Sequence, residues 1–339
     1  MLGTSFKLLA SAALLATFTF GGTPASAEGK KLVFALAGIP PIFAVEIGYV
    51  AEKEGFYKKY GVDVEAKAFD NGTAAARAVV SGDVDFALSP TPPVIAQISN
   101  AGVPLVAIYG MPNPDWVLAS AEPGKTCKDL AGQGFGVDSV NGARSVALRA
   151  MVGAGCPGVK FDDLKEVALG SGVGPALIAG RLNYSVLHLD DIAEIEAQGK
   201  KLNVVLTMKD TNPDTHYTVV VATKQNLAAN RDAFVRALAA LIDTARFMQD
   251  PKNSEAVAKI ATNTGHSEAV NKEALKRFLA IGFWAINDDG MPRDKLEATA
   301  KLMKKVGAIK PDKEPVSFEQ LVDPTVWKDA NAMVKKITH

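Results

Sequence analysis

The chain predicts an α/β protein built as two lobes, on three observations. The first is a weak internal duplication, the signature to look for before local structure. Ser81-Gly82-Asp83-Val84-Asp85-Phe86-Ala87-Leu88 matches Ala179-Gly180-Arg181-Leu182-Asn183-Tyr184-Ser185-Val186 in size and polarity at a constant offset of 98 residues. The match extends back through Gly72-Thr73 against Gly170-Ser171, and each copy reads as strand, glycine-polar turn, small-residue helix, glycine and strand. Such a βαβ unit makes a parallel sheet the default. The second is repeated punctuation: Asn113-Pro114-Asp115 and Asn212-Pro213-Asp214 each precede a strand-like run. Proline keeps the residue before it out of helix, and Asn and Asp favour turns. The third is that the pattern after residue 223 is almost wholly helical. The chain should therefore cross into a second lobe (113–216) and return, leaving a first lobe assembled from 28–112 and 217–339.

The elements follow in order. Leu32–Ala37 is a near-continuous apolar run, as a buried parallel strand requires. Ile42–Glu54 has helical spacing and stops at Gly55, and Val62–Ala66 alternates like a strand. In the second lobe Phe135–Val137 reads as a strand and Ala143–Ala154 as a helix. The tail reads as helices over Asn226–Gln249, Ser254–Thr262, Glu268–Ala280 and Arg293–Val306.

Composition excludes several function classes. Lys+Arg 37 balance Asp+Glu 37, so there is no basic excess for a nucleic-acid partner. Four His and two Cys make a metal enzyme an unfavoured reading, and no cofactor is expected. Lys7, the apolar run Leu8–Phe20 and Ala25-Ser26-Ala27 form a cleavable secretory signal over residues 1–27, with cleavage after Ala27. No later run approaches the length of a membrane helix. The mature protein is expected in a periplasm.

Gly55-Phe56-Tyr57-Lys58-Lys59-Tyr60-Gly61-Val62-Asp63-Val64-Glu65 carries a family resemblance, and Ser81–Ala87, Ala101-Gly102-Val103-Pro104-Leu105 and Asp129-Leu130-Ala131-Gly132-Gln133 support it. From about Lys31 to Tyr217 the chain resembles the solute-binding proteins of ABC importers for aliphatic sulfonates, nitrate, taurine and thiamine pyrimidines, the SsuA/THI5-like, NMT1-like group. The resemblance implies a type II periplasmic-binding fold with a ligand cleft between two α/β lobes and a helical C-terminal region. It implies a small-molecule ligand, an inner-membrane ABC permease as partner, and a monomer.

In open α/β sheets ligands sit beyond the carboxyl ends of strands, where helices begin. That rule selects Ile39, Pro40, Pro41 and Phe43, then Asn71, Gly72 and Thr73, then Ser89, Pro90 and Thr91, with Tyr109 as an aromatic candidate. From the second lobe it selects Ser139, Val140, Asn141, Gly142, Arg144, Ser171, His188 and Asp190. Gly72-Thr73 and Asn141-Gly142 can offer backbone N–H groups to an anion, and Arg144 a forked bond to a carboxylate or sulfonate. In relatives the corresponding turns contact ligand, which supports Gly72, Thr73, Asn141 and Gly142. The same residues have plainer readings: Thr73 and Ser139 as helix caps, Arg144 as a bridging charge, His188 as a satisfied loop histidine, and Phe43, Tyr109 and Tyr184 as core. Ser139-Val140-Asn141-Gly142 departs from the group's usual Gly-Ser/Thr turn, and Asp190-Asp191 replaces an aromatic-containing segment. The expected solute is a small organic molecule, an organic anion such as a sulfonate or carboxylate, or a heterocycle; the acidic pair would instead suit an amine- or heterocycle-bearing ligand. Cys127 and Cys156 should lie at the bottom of the second lobe away from the cleft. A disulfide between them suits an oxidising compartment; two buried thiols are the alternative.

No nucleophile elbow, phosphate loop or His-Glu-x-x-His is present. The expectation is a binder, not an enzyme. The competing readings are an enzyme on the same fold acting on a pyrimidine or small aromatic, and a ligand-presenting partner of a membrane sensor.

Overall fold

The computed structural model describes residues 31–337, and the expected signal segment lies outside them. Ten strands form two five-stranded sheets. The first contains β1 (Leu32–Ala37), β2 (Val64–Phe69), β3 (Phe86–Pro90), β4 (Leu105–Met111) and, from much later in the chain, β10 (Thr218–Thr223). The second contains β5 (Val117–Ser120), β6 (Gly134–Val137), β7 (Lys165–Ala168), β8 (Tyr184–Leu187) and β9 (Asn203–Thr207). Their orders, β2-β1-β3-β10-β4 and β7-β6-β8-β5-β9, are the same pattern used twice.

The duplication seen in sequence falls on equivalent strands. Phe86 of β3 lies opposite Phe34 of β1, and Tyr184 of β8 lies opposite Phe135 of β6. Phe34 and Phe86 stack at 4.2 Å between ring centres, and Phe135 and Tyr184 pack at 5.4 Å, each pair fastening the central parallel strands of its sheet. The parallel default holds for β1, β2 and β3 and for β6, β7 and β8. It does not hold for the strand that follows each crossing: β5 runs antiparallel to β8 and β9, and β10 antiparallel to β3 and β4. Both strands arrive from the opposite sheet rather than through a βαβ turn, which is why they run the other way.

The helical tail covers the first sheet. The helix Arg231–Gln249 buries Phe234, Leu238, Leu241 and Ile242, and packs against both Glu46–Lys53 and the last helix, Thr325–Ile337. The sequence pattern had run it together with the helix Lys224–Ala229. The break falls at Asn230, whose amide bonds back to the carbonyl and side chain of Asn226 in place of a helical continuation. The Gly55–Gly61 motif serves as the seat for this tail helix. Phe56 packs edge-on against Phe247 at 5.5 Å, Lys59 Nζ lies 2.5 Å from Asp243, and the Tyr60 hydroxyl donates to the same carboxylate at 3.2 Å. The residues that carry the family resemblance best therefore build the first lobe and lie away from the cleft.

Cys127 and Cys156 are joined by a disulfide, their Cα atoms 5.3 Å apart. It ties the start of the second lobe to the end of the helix Ala143–Gly155, the end opposite the cleft. Among the described residues no helix is long and apolar enough to cross a membrane.

The return crossing is held by His216, which is buried. Its Nε2–H donates to the Gly290 carbonyl at 2.7 Å, its Nδ1 accepts from the Thr91 hydroxyl at 2.7 Å, and its backbone N–H donates to Thr299 Oγ1. Both ring nitrogens are satisfied in the neutral form. Burial accordingly pushes the imidazole from 6.5 down to about 4. The folded chain resists a proton that the unfolded chain accepts, so this group's contribution is complete above pH 6.5 and is lost as pH falls toward 4. We expect a loss of up to about 3 kcal/mol over that window. Urea midpoints at pH 7 and pH 4.5 should show it, with a clearly smaller pH dependence in His216→Gln.

Candidate functional site

The two sheets face one another across a cavity of about 550 Å³. Ile39, Pro40, Pro41, Ile42, Asp70 and Asn71 line it from the first lobe, with Thr264 and His266 from the helical tail. Asp138, Leu169, Gly170, Ser171, Gly172, Pro175, Asp190 and Asp191 line it from the second. A recess of about 30 Å³ continues inward to Gly72, Pro90, Trp116, Arg144, His188 and Tyr217. Trp116 and Tyr217 come from the two crossings and pack edge to face at 4.7 Å, making an aromatic floor shared by both lobes.

The N-termini of the long helices around this space are occupied by the protein's own side chains. Asn71 Oδ1 accepts from Ala74 N at the start of the helix Gly72–Ser81. Asp138 takes the start of the helix Ala143–Gly155, accepting from Ala143 N at 3.2 Å and Arg144 N at 3.0 Å. Asp115 accepts from Leu189 N at 3.2 Å, and Asp191 from His188 N at 2.9 Å, at the start of the helix Leu189–Ala197. A carboxylate is the natural complement of these backbone donors. At Asn141-Gly142 the backbone donors are taken, Asn141 N–H by Ser145 Oγ and Gly142 N–H by the Ser139 carbonyl, whereas beside Gly72-Thr73 the Asn71 side chain caps Ala74 N–H.

The two glycines are required for close approach. A Cβ on Gly72 would lie 2.2 Å from Pro90 Cδ, and one on Gly142 would lie 2.8 Å from both Asp138 carboxylate oxygens. Val140 and Asn141 are exposed outside the cavity, and the Asn141 amide oxygen accepts from Arg149. Ser139 sits in the turn, accepting Gly142 N–H on its carbonyl.

Arg144 is likewise engaged. Its Nη1 donates to the Val186 carbonyl at 2.6 Å and to Asp191 Oδ2 at 3.1 Å, with 4% of its side chain exposed. Burial works against its charge, but the carboxylates of Asp191 and Asp138 outweigh it and hold the guanidinium above its ordinary pKa. His188 Nδ1 pairs with Asp115 at 2.9 Å. The plainer reading also describes Tyr109 and Phe43, and Ser89 and Thr91 are engaged within the protein as well. Ser89 donates to the Gly72 carbonyl, Thr91 holds His216, and Tyr109 is buried with its hydroxyl bonded to the Ala285 carbonyl. The Phe43 ring stacks on Phe278 at 5.5 Å in the core, while its backbone N–H donates to Asp190. Thr73 does not line the cavity and is not the cap of its helix.

Of the residues selected from sequence, the structure brings Ile39, Pro40, Pro41, Asn71, Ser171 and Asp190 together on the main cavity, and Gly72, Pro90, Arg144 and His188 on the recess. Sequence reasoning missed Asp70, Asp138, Trp116, Tyr217, Thr264 and His266. Asp138 had a usable signal, an acidic residue just ahead of a helix start. Thr264 and His266 sit in a helical tail that gives no periodic hint of reaching the cleft.

Two hydrogen bonds join the cavity walls: Phe43 N–H donates to Asp190 Oδ2 at 2.9 Å, and Ser171 Oγ donates to the Ile39 carbonyl at 2.8 Å. Outside them Arg277 pairs with Glu196 at 2.6 Å and His266 with Glu194 at 3.2 Å. Among the described residues no group of three or more His, Cys, Asp or Glu is placed to hold a metal ion.

Comparison with known proteins follows from this geometry. The model of the family described as NMT1/THI5 like matches residues 44–254. A Brucella abortus (strain 2308) protein named "Putative binding protein" is 24% identical over 286 residues, 83% of this chain and 75% of its own. The alkanesulfonate-binding protein SsuA of Xanthomonas axonopodis pv. citri, solved with MOPS bound, superposes with a TM-score of 0.70 at 14% identity, covering 88% of this chain and 100% of that one. The periplasmic nitrate-binding protein NrtA of Synechocystis PCC 6803 gives 0.70 at 12% identity over 91% and 90% of the two chains. At these identities the likeness is one of fold.

Removing one half of the Arg144–Asp191 pair would strand a buried charge. Arg144→Met should cost about 3–5 kcal/mol in urea unfolding. Adding Asp191→Asn should restore part of that loss, and an unchanged midpoint in the single variant would rule out a structural role for the pair.

Proposed function

The chain belongs to the NMT1/THI5-like family, and on that footing we propose that it is the solute-binding component of an ABC import system. In this reading it is exported, captures a small organic molecule between lobes 28–112 plus 217–339 and 113–216, and presents it to an inner-membrane permease. The observation that carries the reading is the cavity of about 550 Å³ lined from both sheets, with hydrogen bonds across it made by the wall residues themselves. A solute seated there adds contacts to both lobes only when they are closed. That difference in contact between open and closed states is what shifts such an equilibrium. The crossings near 112–116 and 208–217 are the only covalent links between the sheets among the described residues, and they serve as the hinge.

A binding reading also accounts for groups that would suit chemistry elsewhere. The buried His188–Asp115 pair is used to anchor a crossing, and the hydroxyl of Thr91 is committed to His216. The periplasmic address rests on the N-terminal signal pattern and on the periplasmic nitrate-binding protein that shares the fold.

The test is a thermal-shift screen of the chain from Glu28 onward against amines, amidines, pyrimidines, carboxylates and sulfonates. A specific solute should raise the melting temperature with concentration, by the equivalent of about 2.7 kcal/mol at a hundredfold excess over Kd. It should also perturb the fluorescence of Trp116 at the cavity floor. A screen with no saturable shift, or a binder that leaves the Trp116 signal unchanged in a variant lacking the other tryptophans, would count against the reading.

A further inference from the structure

We propose that this cleft selects an organic cation, a small molecule whose protonated amine, amidinium or ring nitrogen sits against Asp190, with Asp70 and Asp138 on the two walls. The inference deepens the solute-binding reading and rests on it. Four carboxylates line the main cavity: Asp70, Asp138, Asp190 and Asp191. Among the described residues neither lysine nor arginine lines it, and His266 is paired with Glu194. Arg144, in the adjoining recess, donates to Asp191 and to a carbonyl, and Asp138 accepts two backbone N–H groups, which leaves Asp70 at the rim and one oxygen of Asp190 as the acceptors open to a ligand.

Asp190 is the informative group. It is 3% exposed, lines the cavity, and uses Oδ2 to accept from Phe43 N, while Oδ1 has no hydrogen-bond partner. Leaving a buried carboxylate oxygen unpaired is costly, and a group in that position either keeps a proton or meets a cation. Burial, and then the charge of neighbouring Asp191, push the Asp190 carboxyl up in spite of His188 and the Phe43 N–H. Glu46, fully buried close by, is pushed well up by the same desolvation. The starts of the helices Ala143–Gly155 and Leu189–Ala197 are occupied by the carboxylates of Asp138, Asp115 and Asp191 rather than left open to an anion. The acidic side chains are not arranged for a metal ion. Apolar walls from Ile39, Pro40, Pro41, Leu169 and Pro175 suit a hydrocarbon or ring body behind the charged head.

Calorimetric titration of the mature protein with benzylamine, benzamidine and agmatine, against benzoate, benzenesulfonate and benzyl alcohol, tests the inference alongside the broad screen. We expect a cation to bind and the matched anions not to bind. Asp190→Asn keeps an acceptor for Phe43 N–H and removes the charge, and should weaken the cation at least about tenfold with the melting temperature at or above that of the parent. If that variant does not fold, Asp70→Asn at the exposed rim should weaken the cation at least about threefold. Binding confined to anions or neutral compounds, or a cation affinity unmoved by these substitutions, overturns the inference while the solute-binding reading stands. If nothing in the broad screen binds, both fall together.

Discussion

The cleft is organised around the carboxylate of Asp115. This residue sits on the first crossing, is almost fully buried, and accepts from both His188 Nδ1 and Leu189 N. It therefore fixes where the helix Leu189–Ala197 begins relative to the strand that enters the second lobe. That start point places Asp190 and Asp191 at the cavity wall. Asp191 in turn holds Arg144, and Asp190 reaches across to Phe43 of the first lobe. One buried acid thus passes position from the first crossing to the cavity wall through a chain of hydrogen bonds. Such networks are worth keeping only when every member is satisfied, and Asp190, a residue of the cavity wall, keeps one buried oxygen, Oδ1, without a partner.

A fold shared with proteins named for sulfonate and nitrate binding does not by itself fix the charge of a cavity lining. Nothing in the topology needs a particular charge at a helix N-terminus. Backbone donors there accept a bound anion or a side-chain carboxylate with equal geometry. Here Asp138, Asp115 and Asp191 take that role at two helix starts, and Asp70 and Asp190 add further carboxylates to the lining.

Much of the architecture was legible because it leaves periodic traces. The 98-residue repeat is visible since Phe86 and Tyr184 occupy the same place in equivalent sheets and face equivalent partners, Phe34 and Phe135. The two Asn-Pro-Asp marks were legible as turns, but not as unequal: Asp115 is buried and paired, whereas Asp214 is exposed. Strand direction was illegible for β5 and β10, since composition is the same whichever way a strand runs. The lining was the least readable part. Asn141 and Gly142 have the residue types of an anion loop, and only the three-dimensional arrangement shows that their donors go to Ser145 Oγ and the Ser139 carbonyl while Asp138 takes the next two. Thr264 and His266 reach the cleft through tertiary packing of a tail that looks like plain amphipathic helix.

The placement of β10 has a consequence for how the molecule comes into being. It lies between β3 and β4 and bonds to both, so the first sheet is missing an interior strand until residue 223 has been made. The second sheet uses only one continuous stretch, 117–207, and can close as soon as that stretch emerges. On a ribosome or emerging from a translocation pore, the later-encoded lobe is therefore the first able to finish. The facing edges of β3 and β4 wait unpaired for more than a hundred residues of synthesis, which makes them the segment of this chain most in need of protection from other strands.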